Sequence, residues 1–190
     1  MTTLVLHIGS PKAGSSSIQA SFQAQATTGP PWHWSRRRWE CLPPNPYGKP
    51  FPSGFIAACY LPSDRLPRYL QQRQHADDEA FARDVRRYQA VLRRVVRPRL
   101  RPKPAGVLLS CEYLWRLPKA CIHRLKSDFQ CMGIERFLVF VYVREPVSLY
   151  VSALQQWARL STDFSRFDPR YWHYELRRRL EAWSSVFGAD

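Results

Sequence analysis

No stretch of this 190-residue sequence approaches the ~20 consecutive apolar residues that a membrane-crossing helix needs. Its start, Met-Thr-Thr-Leu-Val-Leu-His-Ile-Gly, has neither a basic opening nor a long apolar stretch, so it does not read as a secretory leader. The expected location is cytoplasmic. Paired cysteines are also lacking. Cys41, Cys59, Cys111, Cys121 and Cys131 are odd in number and widely spread, and no two have C-x-x-C spacing. That argues against a zinc knuckle or a redox motif, and they read as small buried hydrophobes or bystanders. No cluster of metal-ligand residues stands out. Acid is scarce, with 15 Asp plus Glu against 29 Lys plus Arg, a formal net charge of +14. Lysine is scarce within the basic set, occurring only at 12, 49, 103, 119 and 126. Apolar residues are plentiful. A hydrophobic fraction of 45% and an aromatic fraction of 14% exclude a disordered chain. The length suits a single domain.

The charge attracts anions: nucleic acid, acidic lipid, acidic glycan or a multiply charged cofactor. Charge alone does not separate a nucleic-acid binder from an enzyme acting on anions. The runs Arg36-Arg37-Arg38 and Arg177-Arg178-Arg179 read as solvated faces.

Thr3-Leu4-Val5-Leu6-His7-Ile8 is a short apolar run ending at Gly9, the pattern of a buried strand. Residues 9–17 are a loop rich in Gly and Ser. A helix follows from about Gly14 or Ser15, with Ile18 and Phe22 on one face. Residues 27–54 hold seven prolines, at 30, 31, 43, 44, 46, 50 and 52, which argue against regular structure. With Trp32, Trp34, Trp39 and Tyr47, this segment reads as an ordered aromatic loop. Residues 77–97 carry Phe81, Val85, Tyr88, Leu92 and Val95 at helical spacing, acids in the first turn and arginines in the last, as the helix dipole prefers. Pro98 ends that helix, and 99–104 form a stiff basic connector.

Ala105-Gly106-Val107-Leu108-Leu109-Ser110 reads as a second strand. A helix begins at Pro118 and runs to about Cys131. Phe137-Leu138-Val139-Phe140-Val141-Tyr142-Val143 reads as a third strand. Apolar throughout, it implies a parallel sheet covered on both faces. Arg144-Glu145-Pro146 leads into a helix over 146–160. Its apolar stripe is Val147, Tyr150, Val151, Leu154 and Trp157, and its polar stripe is Ser148, Ser152, Gln155 and Arg159. A last helix carries Trp172, Leu176, Leu180, Trp183 and Phe187, with Gly188 as its C-cap. The expected fold is α/β, a three-layer domain with a central parallel sheet of three recognisable strands flanked by helices.

Gly9-Ser10-Pro11-Lys12-Ala13-Gly14-Ser15-Ser16-Ser17 follows a strand and opens a helix, where backbone N–H groups and the helix dipole favour an anion. Gly9 and Gly14 have the glycine spacing of the nucleotide-triphosphate loop G-x-x-x-x-G-K-[ST]. Ser15 stands where that loop has its lysine, and the lysine has moved back to position 12. The loop can cradle a phosphate but suits a triphosphatase or kinase poorly, and no metal-holding Asp follows a later strand.

The stretch from Leu6 to Gln19 resembles the 5′-phosphosulfate loop of the sulfotransferase family, in the form H-I-G-x-P-K-T-G-T-T-S-L-Q common in its bacterial and glycan-modifying branch. Ala13 replaces one Thr, and Ser15 and Ser16 replace two others with the hydroxyls kept. Val141-Tyr142-Val143-Arg144-Glu145-Pro146, with Ser152 eight residues after the Arg, is similar to the family's 3′-phosphate site. Ser110-Cys111-Glu112-Tyr113-Leu114 is similar to the S-S-E-x-L of bacterial members.

The resemblance implies a P-loop-like domain, 3′-phosphoadenosine-5′-phosphosulfate as cofactor and 3′,5′-adenosine bisphosphate as product. It implies sulfuryl transfer to a hydroxyl or amine of an acceptor, a glycan or small metabolite, without a metal. Lys12 would stabilise the bridging oxygen of the leaving group. The N–H groups of Gly14, Ser15, Ser16 and Ser17 and the hydroxyls of Ser15 and Ser16 would hold the 5′-phosphate. Arg144 and Ser152 would hold the 3′-phosphate. Glu112 is the expected general base, ahead of His7, which should face the core, and Glu145, which should face the 3′-phosphate.

The resemblance covers both ends of the chain, not residues 27–104, where the acceptor is usually chosen. Relatives continue past the last helix here. The expectation is a single domain over 1–190, incomplete at its C-terminus, with weak cofactor binding and an exposed sheet edge prone to self-association. The competing reading is a non-catalytic basic protein binding anions or nucleic acid, or a truncated inactive relative. No recognisable nucleic-acid module supports it.

Overall fold

The computed structural model describes residues 3–9, 17–18, 20–21, 39–41, 55–96, 106–159, 163, 168 and 175–188. Four strands form one sheet: β1 (Thr3–His7), β2 (Trp39–Cys41), β3 (Gly106–Ser110) and β4 (Arg136–Phe140). Their order across the sheet is β2-β3-β1-β4, and every pairing is parallel. Six helices whose bounds lie within the described residues accompany them: α1 (Phe55–Ala58), α2 (Arg68–Ala76), α3 (Asp78–Val96), α4 (Lys119–Cys131), α5 (Pro146–Ala158) and α6 (Leu176–Phe187). Two 3-10 turns, Ser63–Arg65 and Glu112–Arg116, precede α2 and α4. The protein is a three-layer α/β domain, as its strand and helix alternation implies.

β1 is the centre of the sheet. Leu6 lies opposite Leu109 on one side and Val139 on the other. Parallel register puts paired side chains on one face. Leu4 and Leu6 therefore share a face with Val107, Leu109, Phe137 and Val139. That face carries the core, into which α1 sends Phe55 and Ile56, α2 Leu70, α3 Phe81 and Leu92, α4 Ile122 and Phe129, and α6 Trp183. The second face holds Val5, His7, Leu108 and Ser110, all buried.

Local signals account for the helix ends. The Asp77 carboxylate accepts from the Ala80 N–H at 2.8 Å and starts α3. Pro118, whose missing N–H costs nothing there, precedes α4. Gly188 closes α6 at φ 92°, a conformation that glycine adopts without a Cβ penalty.

Three expectations are corrected. A fourth strand, β2, lies inside the proline-rich segment. Trp39-Glu40-Cys41 falls between Pro31 and Pro43, and three residues free of proline suffice for an edge strand paired with Gly106–Leu108. The third expected strand is shorter, ending at Phe140. The Ile8 N–H donates to the Phe140 carbonyl at 3.1 Å, and among the described residues the pairing of β1 with β4 goes no further. Nor is β4 covered on both faces, since Leu138 is 57% exposed and Tyr142 and Val143 are exposed beyond it. The expected self-association would act through such a surface.

α5 also turns differently from its expected stripe. Leu149 is its buried residue at 3% exposure, while Val147 is 67% and Val151 43% exposed. Truncating a buried leucine costs about 2–5 kcal/mol, whereas exposed positions change stability by about 0.5 kcal/mol or less. Chemical denaturation should therefore show Leu149→Ala strongly destabilised and Val147→Ala near the parent. The reverse ranking would mean that α5 is rotated from the face described.

Candidate functional site

The strand order creates a divergence at one place. From β1 the chain goes on to β2, beyond β3; from β3 it goes on to β4, beyond β1. The carboxyl ends of β1 and β3 thus sit side by side while their onward paths leave in opposite directions. Parallel α/β sheets bind ligands at such a point, outside the carboxyl ends of the strands. Here those ends are His7-Ile8-Gly9 and Ser110-Cys111-Glu112, with Phe140-Val141 of β4 alongside.

The floor of this edge is a buried polar pair. His7 Nδ1 and Ser110 Oγ are 2.7 Å apart, across the register pair that ends both strands. The imidazole stacks on Phe140 at 4.9 Å and meets Tyr142 edge-on at 6.0 Å. Burial lowers its pKa from 6.5 to about 4, so it is neutral at neutral pH. His7 is thus sealed from solvent. The Cys111 N–H donates to the His7 carbonyl at 2.9 Å and carries the pairing one residue further. Burial pushes the Cys111 thiol up to about 12, which leaves it unreactive.

Glu112 follows at once and opens the turn Glu112–Arg116. It is half-buried at the mouth of the edge. Burial, and then the Glu112 charge, push the neighbouring Tyr113 hydroxyl up to about 12. Tyr69 of α2 is raised too, by burial first and then by Tyr113, Cys111 and Glu112, so α2 reaches the same corner.

Arg144 lies in the extended stretch between β4 and α5 and is exposed. Glu145 is the N-cap of α5, its carboxylate accepting from Val147 N at 2.8 Å and Ser148 N at 2.7 Å. Those bonds hold its pKa below the usual carboxylate range, with the Arg144 charge the smallest contributor. A carboxylate committed to a helix cap is a poor candidate for a general base. Ser152 is half-buried two turns into α5.

Of the other expected site residues, Ser17 is helical and exposed, with its carbonyl accepting from Ser21 Oγ at 3.0 Å. Lys12, Gly14, Ser15 and Ser16 lie outside the described residues. Gly9 is buried at the start of their loop. Glu112 and Arg144 thus follow the carboxyl ends of two strands that flank β1, while the segment of residues 9–17 follows β1 itself.

Two cavities adjoin the edge. One, of about 770 Å³, runs between β4 and α6 and is mainly apolar, lined by Ile8, Phe140, Val141, Leu180, Trp183 and Phe187. The other, of about 1140 Å³, is polar and opens beside Tyr113. It gathers Arg65, Arg68 and Arg116 from separate segments. No periodicity or motif marks them in the sequence, because only the fold brings them together. Among the described residues, no group of three or more His, Cys, Asp or Glu side chains is placed to hold a metal ion. Comparison with protein-family models, with curated proteins and with solved structures returns no match.

The buried histidine sets a pH dependence. Between about pH 6.5 and 4 the unfolded chain takes up a proton at His7 that the folded chain does not, so stability falls as pH falls through that window. The loss attributable to His7 is on the order of 3 kcal/mol and is complete below the folded value. His7→Asn keeps a polar partner for Ser110 and cannot titrate. Its stability should decline less steeply than that of the parent from pH 6.5 to 4. Parallel profiles would show that His7 protonates freely in the folded protein.

Proposed function

We propose that this protein is a sulfotransferase that uses 3′-phosphoadenosine-5′-phosphosulfate and modifies a hydroxyl or amine of its acceptor. The observation that carries the reading is the parallel order β2-β3-β1-β4. It makes the loop of residues 9–17, Glu112 and Arg144 follow the carboxyl ends of three adjacent strands. The sequence motifs mark the first and third of these segments for the cofactor and Glu112 for the general base. A triphosphatase is disfavoured by Ser15 standing where its lysine belongs.

The residues fit the two phosphate ends of such a cofactor. Arg144 is exposed and can make a charge-assisted contact. The Glu145 cap occupies the first N–H groups of α5, so the 3′-phosphate would depend on the Arg144 and Ser152 side chains. Lys12 and the N–H groups of Gly14, Ser15, Ser16 and Ser17 would hold the 5′ end, with the Ser15 and Ser16 hydroxyls. The apolar cavity between β4 and α6 has the size and lining for the flat adenine ring. The bound cofactor supplies the sulfuryl group.

The chain's own contribution is positioning and neutralisation of charge, as in phosphoryl transfer. Glu112 takes the acceptor's proton, since a hydroxyl is a weak nucleophile until deprotonated. With His7 buried on the second face of the sheet and Glu145 spent on a helix cap, Glu112 is the candidate base that remains of the three. Lys12 stabilises the leaving oxygen.

A charged contact to phosphate is worth about 1.5–3 kcal/mol, or roughly 10- to 150-fold in affinity. Calorimetry should find Arg144→Ala weakened by that factor for 3′,5′-adenosine bisphosphate and little changed for 5′-AMP. Equal losses for both would remove Arg144 from the 3′ site. In a sulfuryl-transfer assay, Glu112→Gln should keep bisphosphate affinity and lose about 10²–10⁴-fold in turnover, the range for a general base. Turnover within a few-fold of the parent would reassign the base.

A further inference from the structure

The polar cavity beside Tyr113 is built from segments far apart in sequence. The turn Ser63–Arg65 and the start of α2 give Arg65, Arg68 and Gln71; the turn after β3 gives Tyr113 and Arg116; the end of α5 gives Trp157. The start of α6 closes it, but its arginines are already engaged. Arg178 and Arg179 pair with Glu175, the latter at 2.7 Å, and Arg179 also donates to the Arg116 carbonyl at 3.1 Å. Arg65, Arg68 and Arg116 have no carboxylate partner among the described residues, and all three are exposed. Three uncommitted guanidinium groups around one cleft form a binding field for anions.

The cleft is not uniformly basic. Asp64 and Asp163 line it too, and Gln71 donates to the Asp64 carbonyl at 2.9 Å. The Trp157 indole donates to the Asp163 carbonyl at 2.5 Å, and Trp157 lines the cleft. A nucleic-acid strand, with a phosphate on every unit, suits a continuous basic track and is repelled by interspersed carboxylates. A ligand with scattered negative groups and many hydroxyls fits better. Its anionic groups meet the arginines, its hydroxyls donate to Asp64, and its apolar ring faces lie on Trp157 and Tyr113. At about 1140 Å³, the cleft exceeds what one small molecule fills.

We propose that this cleft binds an acidic oligosaccharide, held by Arg65, Arg68 and Arg116, and that this saccharide is the acceptor. Tyr113 lines the cleft and is the chain neighbour of Glu112, the expected general base, in the turn Glu112–Arg116. That the saccharide is an acceptor rests on the transfer reading above; that it binds here does not.

The test titrates tetragalacturonate, neutral maltotetraose and a short oligothymidylate into the parent and into Arg65→Glu/Arg68→Glu/Arg116→Glu, by calorimetry at low and high salt. 3′,5′-Adenosine bisphosphate is titrated into both proteins as well. The expected result is tetragalacturonate binding about tenfold or more tighter than the other two, weakened by salt, and reduced by at least about tenfold in the variant. Bisphosphate affinity should stay within about twofold between the two proteins. Should the triple variant fail to fold, Arg65→Gln/Arg116→Gln reads the same loss. Equal binding of the neutral sugar, an unaffected variant, or tighter Arg-dependent binding of oligothymidylate would overturn the proposal. Arg-dependent uronate binding with no bisphosphate binding would remove the transfer reading and leave the saccharide site standing. Bisphosphate binding with no uronate binding would do the reverse.

Discussion

The pairing of β1 on both edges, together with burial of its side chains on both faces, is the constraint from which the rest follows. Leu4 and Leu6 face the helical core, and Val5 and His7 face the other side, all at 5% exposure or less. Each such apolar side chain contributes about 1.5–3 kcal/mol relative to exposure. A strand so enclosed has one free direction, its carboxyl end. The segment leaving that end is the one whose sequence suits a phosphate. His7 marks the boundary between packing and chemistry. Its Nδ1 meets the Ser110 hydroxyl and its ring stacks on Phe140, so a polar group ends the strand without being available to solvent.

The sheet is also asymmetric. Five helices contribute to the core on the face of Leu4 and Leu6, while β4 leaves Leu138 exposed on the other. The carboxyl edge inherits this asymmetry. On the β4 side it meets an apolar cavity closed by α6, and on the β3 side a polar cleft closed by α2 and the start of α6. The nucleotide and acceptor proposed above, one with an aromatic base and the other with charges and hydroxyls, would find contrasting environments on the two sides of one sheet edge.

Much of this was legible in the sequence where a single physical rule dominates. β1 and β3 are apolar runs, α3 has a strict 3.6-residue stripe, and Pro118 and Gly188 mark ends that backbone chemistry dictates. α2 was not legible, because Arg-Tyr-Leu-Gln-Gln-Arg-Gln-His-Ala buries only Leu70 and has no stripe to read. β2 was hidden by the prolines on either side of it. α5 is apolar almost all round, so several faces satisfy the helical period and packing alone selects Leu149 over Val147. Glu112 and Arg144 were found because each sits in a contiguous motif after a strand. Arg65, Arg68 and Arg116 carry no local signal and become neighbours only through tertiary structure.

The central claim is that the loop after β1 and the segment after β4 serve one bisphosphate nucleotide. Amide hydrogen exchange with and without 3′,5′-adenosine bisphosphate measures this most directly, since it reads each segment separately. The account predicts slowed exchange in peptides covering residues 9–17 and 141–152, with α2 and α3 unchanged. Protection confined to one segment, or no protection at saturating ligand, would contradict it.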